Sequence, residues 1–400
     1  MNVLFMTLMY PQELLPVVSR NAKDGLQNQI NSYQRAFVEG ISQNLKATEQ
    51  LEIVNALPVG VFPTRYRKPI IPKGTYDGCI HELGCINLPY LKQRGRKRRA
   101  MKALLAWVQA NPDNRTILLY TLYLPFMQAI ATVKKQYPDL RACVIVTDLP
   151  NELGIASYRH GLWKRMEYAM GDHRIQLCDA FDGFVLLTKH MAEALPLQAK
   201  KWMVMEGLIL QSDTNSLVQT EHQNVPAVLY TGTLNRELGI AELLQAFEEL
   251  PECELWLCGK GDMEAAIKAA SAQYPNIRYF GFVAHEQALQ MQAKATLLVN
   301  PRTAAGVFTR YSFPSKTLEY MRSGKPVLCY KLDGIPKDYD PYLFYIEGNG
   351  AQGIKGSIQR LLQMPAQELC ARGQAAKKYV FENKNPNIQC ARLISFLHEL

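Results

Sequence analysis

The chain of 400 residues is longer than a single hydrophobic core usually supports, so two domains are expected. Its hydrophobic fraction of 48% and charged fraction of 20% are ordinary for a soluble globular protein. No apolar run approaches the roughly 18 residues that a membrane-spanning helix needs, and the net charge of +9 points to an anionic partner.

The first residues are predicted to form a buried strand, because they lack the basic leader and the cleavage site of a signal peptide. The nine cysteines are scattered, their number is odd, and no C-x-x-C motif occurs. Buried reduced thiols are the simplest account of this pattern, so a cytoplasmic location is expected.

Apolar, β-branched runs alternate with amphipathic segments along the first half, which predicts a parallel sheet covered by helices on both faces. The predicted strands cover residues 3–9, 51–54, 79–88 with a break at Gly84, 116–120, 142–147, 183–187 and 202–205. The predicted helices cover residues 26–41, 98–109, 125–136, 163–177 and 189–194.

The positive charge is concentrated in one run, with six cations within eight residues and Lys102 just beyond them. Such a cluster predicts either a phosphate-bearing lipid surface or a nucleic acid as the partner, and a solvated helix start is the alternative. Nucleic acid is disfavoured because the run lacks interleaved aromatic residues and a recognisable binding module. The six cations are Lys92, Arg94, Arg96, Lys97, Arg98 and Arg99.

A polar stretch at residues 211–224 interrupts the alternation and is followed by Pro226, so a linker is expected there. The alternation then restarts. Further strands are predicted over residues 227–230, 254–258, 277–280, 296–300, 326–330 and 343–346. Further helices are predicted over residues 240–250, 263–273, 286–293, 314–322 and 354–364.

The fold class predicted from this order is α/β, with two doubly wound, Rossmann-like domains facing across a cleft. The N-terminal domain is expected over residues 1–210 and the C-terminal domain over residues 225–385. Residues 386–400 are predicted to form an amphipathic helix, a candidate to cross back to the first domain.

Ligands of open α/β sheets bind at the carboxyl ends of the strands, so the loops after strands are the candidate sites. Gly232 and Thr233 follow the first strand of the second domain, where the backbone can approach a ligand and Arg236 could reach a phosphate. A plain glycine turn before a helix is the alternative.

The next two strands also end at glycines. Gly259 lies in a tight turn that lacks the third glycine of a dinucleotide fingerprint. Gly281, Phe282 and Val283 end the third strand and could form a wall against a nucleobase, although a structural turn explains them equally well.

Residues 311–327 read YSFPSKTLEYMRSGKPV and predict a helix start after a strand. A helix N-terminus offers free N–H groups and a positive dipole end, which suit a phosphate near Ser315 and Lys316. Glu319 lies about one turn further in, where a carboxylate can accept hydrogen bonds from two ribose hydroxyls. A capped structural helix with an exposed Glu319 is the alternative.

In the first domain, Asp148 ends a strand and could bind a sugar hydroxyl, act as a base or cap the following turn. The polar segment at residues 19–29 is equally open to contact with a substrate or to a plain loop role. None of the seven histidines pairs at ligand spacing, so no metal is expected. Asp338 and Asp340 do have the spacing of a metal-binding pair, but a surface turn explains them better.

Together these residues resemble glycosyltransferase family 4, a group of two-domain retaining sugar transferases with the B-type fold. The resemblance is strongest over about residues 225–350, and the string at 311–327 is similar to members that build capsule, O-antigen and exopolysaccharide. It implies transfer of a sugar from a nucleotide-diphosphate sugar to a saccharide or lipid-linked acceptor, with no bound metal and no resident cofactor.

The family motif has two glutamates separated by seven residues. The second, which contacts the donor ribose, falls on Glu319, whereas the first falls on Tyr311 and is therefore replaced. The turn that resembles the diphosphate-contacting one falls on Ser312, Phe313 and Pro314.

Many members also carry a cation after the glycine of the first loop and another before the helix glycine. Those positions hold Thr233 and Leu238 here. We therefore expect Lys316 and Arg236 to supply the positive charge instead.

The resemblance gives the basic run a specific interpretation, because such enzymes often glycosylate a lipid-linked acceptor. A peripheral position at the inner face of the cytoplasmic membrane is expected, since each cation near an anionic leaflet contributes about 1 kcal/mol. The replaced glutamate keeps a second hypothesis open, a non-catalytic subunit or sensor that binds a sugar nucleotide.

Overall fold

The computed structural model describes residues 1–23, 25–150, 162–209, 225–304 and 307–400. The chain forms two compact units, one of Met1–Leu208 together with Pro386–Leu400 and the other of Ile209–Asn385. The predicted linker at 211–224 lies outside the described residues.

The sheet of the first unit has eight strands in the order β10-β9-β8-β7-β1-β2-β5-β4, parallel except for the last pair. Two short strands, β3 and β6, form a separate antiparallel pair. Its strands are β1 (Asn2–Thr7), β2 (Gln50–Asn55), β3 (Ile70–Ile71), β4 (Gly74–Tyr76), β5 (Ile80–Glu82), β6 (Cys85–Ile86), β7 (Arg115–Tyr120), β8 (Arg141–Val146), β9 (Gly183–Leu186) and β10 (Lys201–Val204).

The helices of this unit confirm the predicted alternation, but one of them begins earlier than predicted. The helix predicted over 98–109 begins at Leu91, so the basic run lies on its first two turns. Its sequence contains no proline, and Gly95 is tolerated in the interior. The helices are α1 (Leu15–Asn21), α2 (Asn28–Asn44), α3 (Leu91–Ala110), α4 (Leu124–Lys134), α5 (Leu162–Leu177) and α6 (Met191–Ala194).

The second unit contains all six predicted strands, in the parallel order β13-β12-β11-β14-β15-β16. Strand order reverses between β11 and β14, and in doubly wound sheets such a point is where ligands bind. The strands are β11 (Ala227–Thr231), β12 (Glu254–Cys258), β13 (Ile277–Gly281), β14 (Leu297–Asn300), β15 (Val327–Cys329) and β16 (Phe344–Tyr345).

The helices of the second unit pack against this sheet, and its core is one continuous apolar cluster. The helix over Ala366–Asn383 was not predicted. The helices are α7 (Ile240–Glu248), α8 (Glu264–Gln273), α9 (His285–Lys294), α10 (Ser315–Ser323), α11 (Gly350–Leu362) and α12 (Ala366–Asn383).

The last helix, α13 (Pro386–Glu399), belongs to the first unit and packs along α2. Leu393 and Leu397 are fully buried in the same apolar cluster as Phe37 of α2. The two helices approach closely at Gly40, where an added Cβ atom would lie 2.3 Å from the carbonyl oxygen of Pro386.

All nine cysteines lie in the described residues, all are free thiols, and all but Cys79 and Cys370 are buried. Among the described residues, no helix combines the length and the apolar character that crossing a membrane requires.

We predict that Gly40→Ala destabilises the first unit by about 1–3 kcal/mol, because the added methyl group forces α13 away from α2. The free energy of unfolding from chemical denaturation measures this. Gly356→Ala is the matched control, since Gly356 lies in α11 with nothing within 4 Å of the added atom. That change should instead stabilise by about 0.5–1 kcal/mol through helix propensity. Equal effects of the two changes would contradict the close packing of α13.

Candidate functional site

The three glycine loops of the second unit lie side by side at the carboxyl edge of its sheet. The amide of Gly232 donates to the carbonyl of Cys258 at 2.8 Å, and the amide of Gly259 donates to that of Gly281 at 2.8 Å. A Cβ atom at Gly259 would lie 1.7 Å from the carbonyl oxygen of Gly232, so no larger residue fits there. The structure thus brings the predicted loops together.

Glu319 of α10 is held from two neighbouring elements. Nε2 of Gln292, in α9, donates to Oε1 of Glu319 at 2.7 Å and lies 3.4 Å from Oγ1 of Thr231 at the end of β11. The Glu319 side chain is 22% exposed, so it is neither a solvated surface group nor sealed in the core. The alternative of a freely exposed glutamate is therefore wrong.

Lys316 lies one turn before Glu319 and reaches toward the loop after β11. Its Nζ atom is 3.9 Å from Oε2 of Glu319 and lies over the rings of Tyr230 and Tyr320, at 5.7 and 5.4 Å from their centroids. A Cβ atom at Gly232 would lie 2.7 Å from this Nζ. Burial lowers the pKa of Lys316, and the negative charge of Glu319 opposes that shift.

Tyr320 ties α10 to β11 from inside the core, because its buried hydroxyl accepts a hydrogen bond from the amide of Thr231 at 2.9 Å. The neighbouring Tyr230 hydroxyl donates to the carbonyl of Thr233 at 2.8 Å. Burial, helped by the charge of Glu319, raises the pKa of Tyr230, so this phenol is neutral. We call Thr231, Gln292, Lys316, Glu319 and Tyr320 the Glu319 cluster.

The turn before α10 is anchored to the body of the unit. Nη2 of Arg302 donates to Oγ of Ser312 at 2.7 Å, and the Phe313 ring packs at 5.4 Å from that of Tyr339. Pro314 immediately precedes the helix rather than starting it, so the first helical residue is the exposed Ser315. Tyr311 is partly exposed.

Other predicted residues lie around this edge. Thr233 and Arg236 are exposed in the loop after β11, and the amide of Arg236 donates to Asp262 at 2.9 Å. Phe282 is exposed, with Nζ of Lys260 at 5.5 Å from its ring centroid, and Val283 beside it is partly buried.

Asp148 lies in the first unit, two residues after β8 ends. Its carboxylate is exposed and accepts a hydrogen bond from Oγ1 of Thr147 at 3.0 Å. Of the two aspartates with metal-pair spacing, Asp340 accepts hydrogen bonds from Lys331 and Tyr345, each at 2.7 Å. Within the described residues, no group of three or more His, Cys, Asp or Glu is placed to hold a metal ion.

Two cations of the basic run are buried, which the sequence did not predict. Lys92 and Arg96 are only 5% and 3% exposed, so the expectation that they contact a membrane is wrong. They are four residues apart on α3, and the same helical stripe continues through the buried Ala100 and Leu104. The stripe turns them into the unit, where Lys92 donates to the carbonyl of Val59.

The other four cations of the run remain accessible to different degrees. Arg94 and Arg98 are exposed, and Lys97 is partly exposed. Arg99 is exposed but donates to the carbonyl of Leu83 at 3.0 Å.

Sequence reasoning missed Gln292, Arg302 and the inward role of Tyr320. Arg302 could have been found, because it follows β14 by two residues and the loops after strands were the candidate sites. Gln292 and Tyr320 carry no such signal, since each is one polar residue in an ordinary amphipathic helix.

Residues 225–364 match the family model described as Glycosyl transferases group 1. The match covers most of the second unit, including every residue of the Glu319 cluster. It confirms the predicted enzyme class, a glycosyltransferase. No curated protein matches the chain.

Solved structures resemble the whole chain at low sequence identity. Sucrose-phosphate synthase from Thermosynechococcus elongatus is 15% identical with a TM-score of 0.64, covering 100% of this chain and 99% of that one. A trehalose-6-phosphate protein from E. coli bound with UDP-2-fluoro glucose is 10% identical with a TM-score of 0.66, covering 100% and 99%. The catalytic domain of starch synthase IV from Arabidopsis thaliana, bound to ADP and acarbose, is 12% identical with a TM-score of 0.63, covering 100% and 98%. The predicted fold class, α/β with two Rossmann-like units of the B type, is confirmed.

We predict that Lys316 titrates below an ordinary exposed lysine, and that Gly232→Ala returns its pKa toward the ordinary value by pushing the ammonium group into solvent. Carbon-13 NMR of dimethylated lysines measures this, with Lys316→Arg assigning the signal. Gly281→Ala is the control, because Gly281 also has a positive φ of 70° but nothing within 4 Å of the added atom. An unchanged pKa of Lys316 in the Gly232→Ala variant would contradict the contact between these two residues.

Proposed function

We propose that this chain is a family 4 retaining glycosyltransferase that moves a sugar from a nucleotide-diphosphate sugar to a saccharide or lipid-linked acceptor in cell-surface polysaccharide biosynthesis. The observation that carries the proposal is the Glu319 cluster, which lies where strand order reverses in the unit that matches the family model.

Glu319 is suited to bind the donor ribose. One hydrogen bond from Gln292 fixes its Oε1 atom, and the remaining lone pairs of a carboxylate can accept bonds from the two ribose hydroxyls. Because the group is partly exposed, a ligand can reach it, and because it is held, little side-chain entropy is lost on binding.

Lys316 and the first turn of α10 are suited to bind the diphosphate. The first N–H groups of a helix have no partner within the helix, and the dipole there favours an anion. Lys316 adds a full positive charge whose position is fixed between two tyrosine rings. The lowered pKa of Lys316 rises again when a diphosphate binds. Lys316 therefore keeps its proton to a higher pH in the complex than in the free protein.

Two of the structural neighbours support a nucleotide-sugar donor, since one is bound with UDP-2-fluoro glucose and another with ADP. In the proposed reaction the bond between the anomeric carbon and the diphosphate breaks, and negative charge develops on the leaving group. Lys316, assisted by Arg236 from the loop after β11, stabilises that charge. Losing one such donor typically costs about 3–4 kcal/mol of transition-state stabilisation.

The remaining predicted contacts belong to the same proposal. Gly232, Gly259 and Gly281 let the backbone approach the donor, and Phe282 with Val283 borders the base. Asp148 is the candidate contact to the transferred sugar. Because protein cations neutralise the diphosphate, the proposed reaction needs no resident cofactor or metal.

Tyr311 favours a second candidate function, a non-catalytic subunit or sensor that binds a sugar nucleotide. A tyrosine at this position supplies no carboxylate near the sugar. Both functions require nucleotide binding, and only the first requires transfer or donor hydrolysis by the purified protein.

Membrane attachment is also part of the proposal, on a smaller basic surface than the sequence indicated. Arg94 and Arg98 are exposed on α3. Apolar side chains are exposed before this helix and at its first residue: Ile70 at 63%, its antiparallel partner Ile86 at 48%, Tyr90 at 74% and Leu91 at 48%. Basic residues with exposed apolar residues suit the interface of an anionic leaflet, where the enzyme would be peripheral and cytoplasmic.

We predict that nucleoside diphosphates of one base class raise the melting temperature of the protein, and that the Glu319 and Lys316 variants fail in different ways. Glu319→Ala should lose the stabilisation by both the nucleoside and the nucleoside diphosphate, because the ribose contact is common to them. Lys316→Met should lose only the increment that the diphosphate adds. Differential scanning fluorimetry across a panel of nucleosides, nucleoside diphosphates and sugar nucleotides makes the measurement.

Glu368→Ala is the control for this panel, because Glu368 is an exposed residue of α12, away from the cluster and the glycine loops. The proposed function would be refuted if no member of the panel changed the melting temperature of the wild-type protein. Nucleotide binding without transfer or hydrolysis of any donor would favour the sensor.

We predict that Arg94→Gln with Arg98→Gln weakens binding to vesicles of mixed phosphatidylcholine and phosphatidylserine by about 30-fold, at roughly 1 kcal/mol for each lost cation. Co-sedimentation at low and high salt measures it. The control removes two exposed cations of the second unit, Lys268→Gln with Lys378→Gln, at the same change of net charge. If both double variants lost the same vesicle affinity, binding would depend on net charge and not on the exposed arginines of α3.

A further inference from the structure

We propose that the first unit contains a binding pocket for a phosphate group, built on Lys92 and Arg96, and that the acceptor of the reaction carries that phosphate. The acceptor role rests on the function proposed above. The pocket itself rests on the geometry of the first unit.

The pocket is a cavity of 320 Å³. Residues that follow β1 and β2 line it, together with α1, the segment after α1 and the first turns of α3. It therefore lies at the carboxyl end of the first unit's sheet, where doubly wound folds bind ligands. Part of the 19–29 segment, left open between substrate contact and plain loop, lines it. Its volume is at the lower end of small-molecule sites and fits a sugar phosphate.

The lining of the pocket is cationic. Lys92, Arg96 and Arg65 contribute three positive charges, and none of the described lining residues is acidic. Asp24, which is adjacent in sequence to the lining Gly25, lies outside the described residues. Gln93 and Tyr123 add polar groups, and the Tyr123 hydroxyl accepts from Arg96 at 2.8 Å and donates to Gln93 at 2.9 Å.

The acid that acts on Arg96 is Glu82, which does not line the cavity. Its carboxylate is fully buried and already accepts hydrogen bonds from Asn55 at 2.7 Å and from the amides of Leu57 and Gly84 at 2.9 Å each. Burial raises the pKa of Glu82 to about 7, against the pull of Arg96, so its negative charge is incomplete at neutral pH. Lys92 and Arg96 together therefore carry more positive charge than Glu82 balances.

The charge of Lys92 is disfavoured in the absence of a ligand, for three reasons. Lys92 and Arg96 are both buried, and neutral acceptors replace their hydration: the Val59 carbonyl for Lys92, and the Leu57 carbonyl and Tyr123 hydroxyl for Arg96. They are like charges four residues apart on one helix face. Both lie near the N-terminus of α3, where the helix dipole also repels a cation. Burial and the charge of Arg96 lower the pKa of Lys92 to about 8, which reflects the same strain.

A phosphate monoester resolves all three penalties at once. Its charge near −2 matches more than one cation, whereas a carboxylate matches only one. Nε of Arg96 is buried and has no hydrogen-bond acceptor among the described residues, so the protein does not fully satisfy this guanidinium group. An intact bilayer surface cannot make these contacts, because Lys92 and Arg96 are inside the unit.

The same phosphate could belong to a soluble sugar phosphate or to the head of a lipid-linked phosphate. Isothermal titration with inorganic phosphate tests the pocket, in a Lys316→Met background that removes the competing site of the second unit. Lys92→Met should weaken phosphate binding at least tenfold, and Lys102→Met should leave it unchanged. Lys102 is an exposed lysine of the same helix, so the pair is matched in residue type and charge.

Arg65→Gln is the second variant, because this exposed side chain can change with little risk to folding, and it too should weaken binding. Equal phosphate affinity in Lys92→Met, Arg65→Gln and Lys102→Met overturns the pocket. A hexose phosphate that binds more tightly than inorganic phosphate identifies the soluble source, and a short-chain prenyl phosphate that does so identifies the lipid source. If neither exceeds inorganic phosphate, the acceptor assignment is overturned.

These outcomes are separable from those of the proposed function. Nucleoside diphosphate binding depends on Glu319 and is expected to survive Lys92→Met, measured with Lys316 intact. Loss of nucleotide binding in the wild type would refute the transferase, while Lys92-dependent phosphate binding would still establish the pocket.

Discussion

The position of α10 against β11 is the constraint on which the second unit's site depends. Two hydrogen bonds to consecutive residues of the helix set it: the Thr231 amide donates to the buried hydroxyl of Tyr320, and Gln292 donates to Glu319. Because one bond is inside the core and the other at its edge, the helix can neither rotate nor slide without leaving a buried polar group unsatisfied. The orientation of Glu319 and Lys316 follows from that constraint rather than from their own rotamer preferences.

The cations at the carboxyl edges of the two sheets differ in how nearby carboxylates balance their charge. In the second unit, Lys316 has a carboxylate within reach, so its charge is partly balanced before any ligand arrives. In the first unit, Lys92 and Arg96 face a cavity without described acids, and Glu82 behind them is already saturated with donors. A balanced site tolerates an empty state at little cost, whereas an unbalanced one gains stability from occupancy.

Sequence periodicity predicted the strands well because parallel strands buried on both faces are continuous apolar runs, as at Val228 and Leu229. It failed for β3 and β4, which are too short for any period and exist through tertiary pairing. Glu319 and Lys316 could be predicted because a helix start after a strand has known chemistry. Gln292 could not, since which face of α9 meets α10 is decided by packing. The burial of Lys92 and Arg96 does not follow from the charge pattern, although the helical spacing that they share with the buried Ala100 is present in the sequence.

The packing of α13 on α2 makes the first unit discontinuous, since the entire second unit lies between residues 208 and 386. One wall of the first unit's core, including Leu393 and Leu397, is therefore the last part of these 400 residues to leave the ribosome. The second unit can therefore close its core while the first still lacks that wall. Until α13 is synthesised, the apolar face of α2 lacks the helix that covers it in the folded unit.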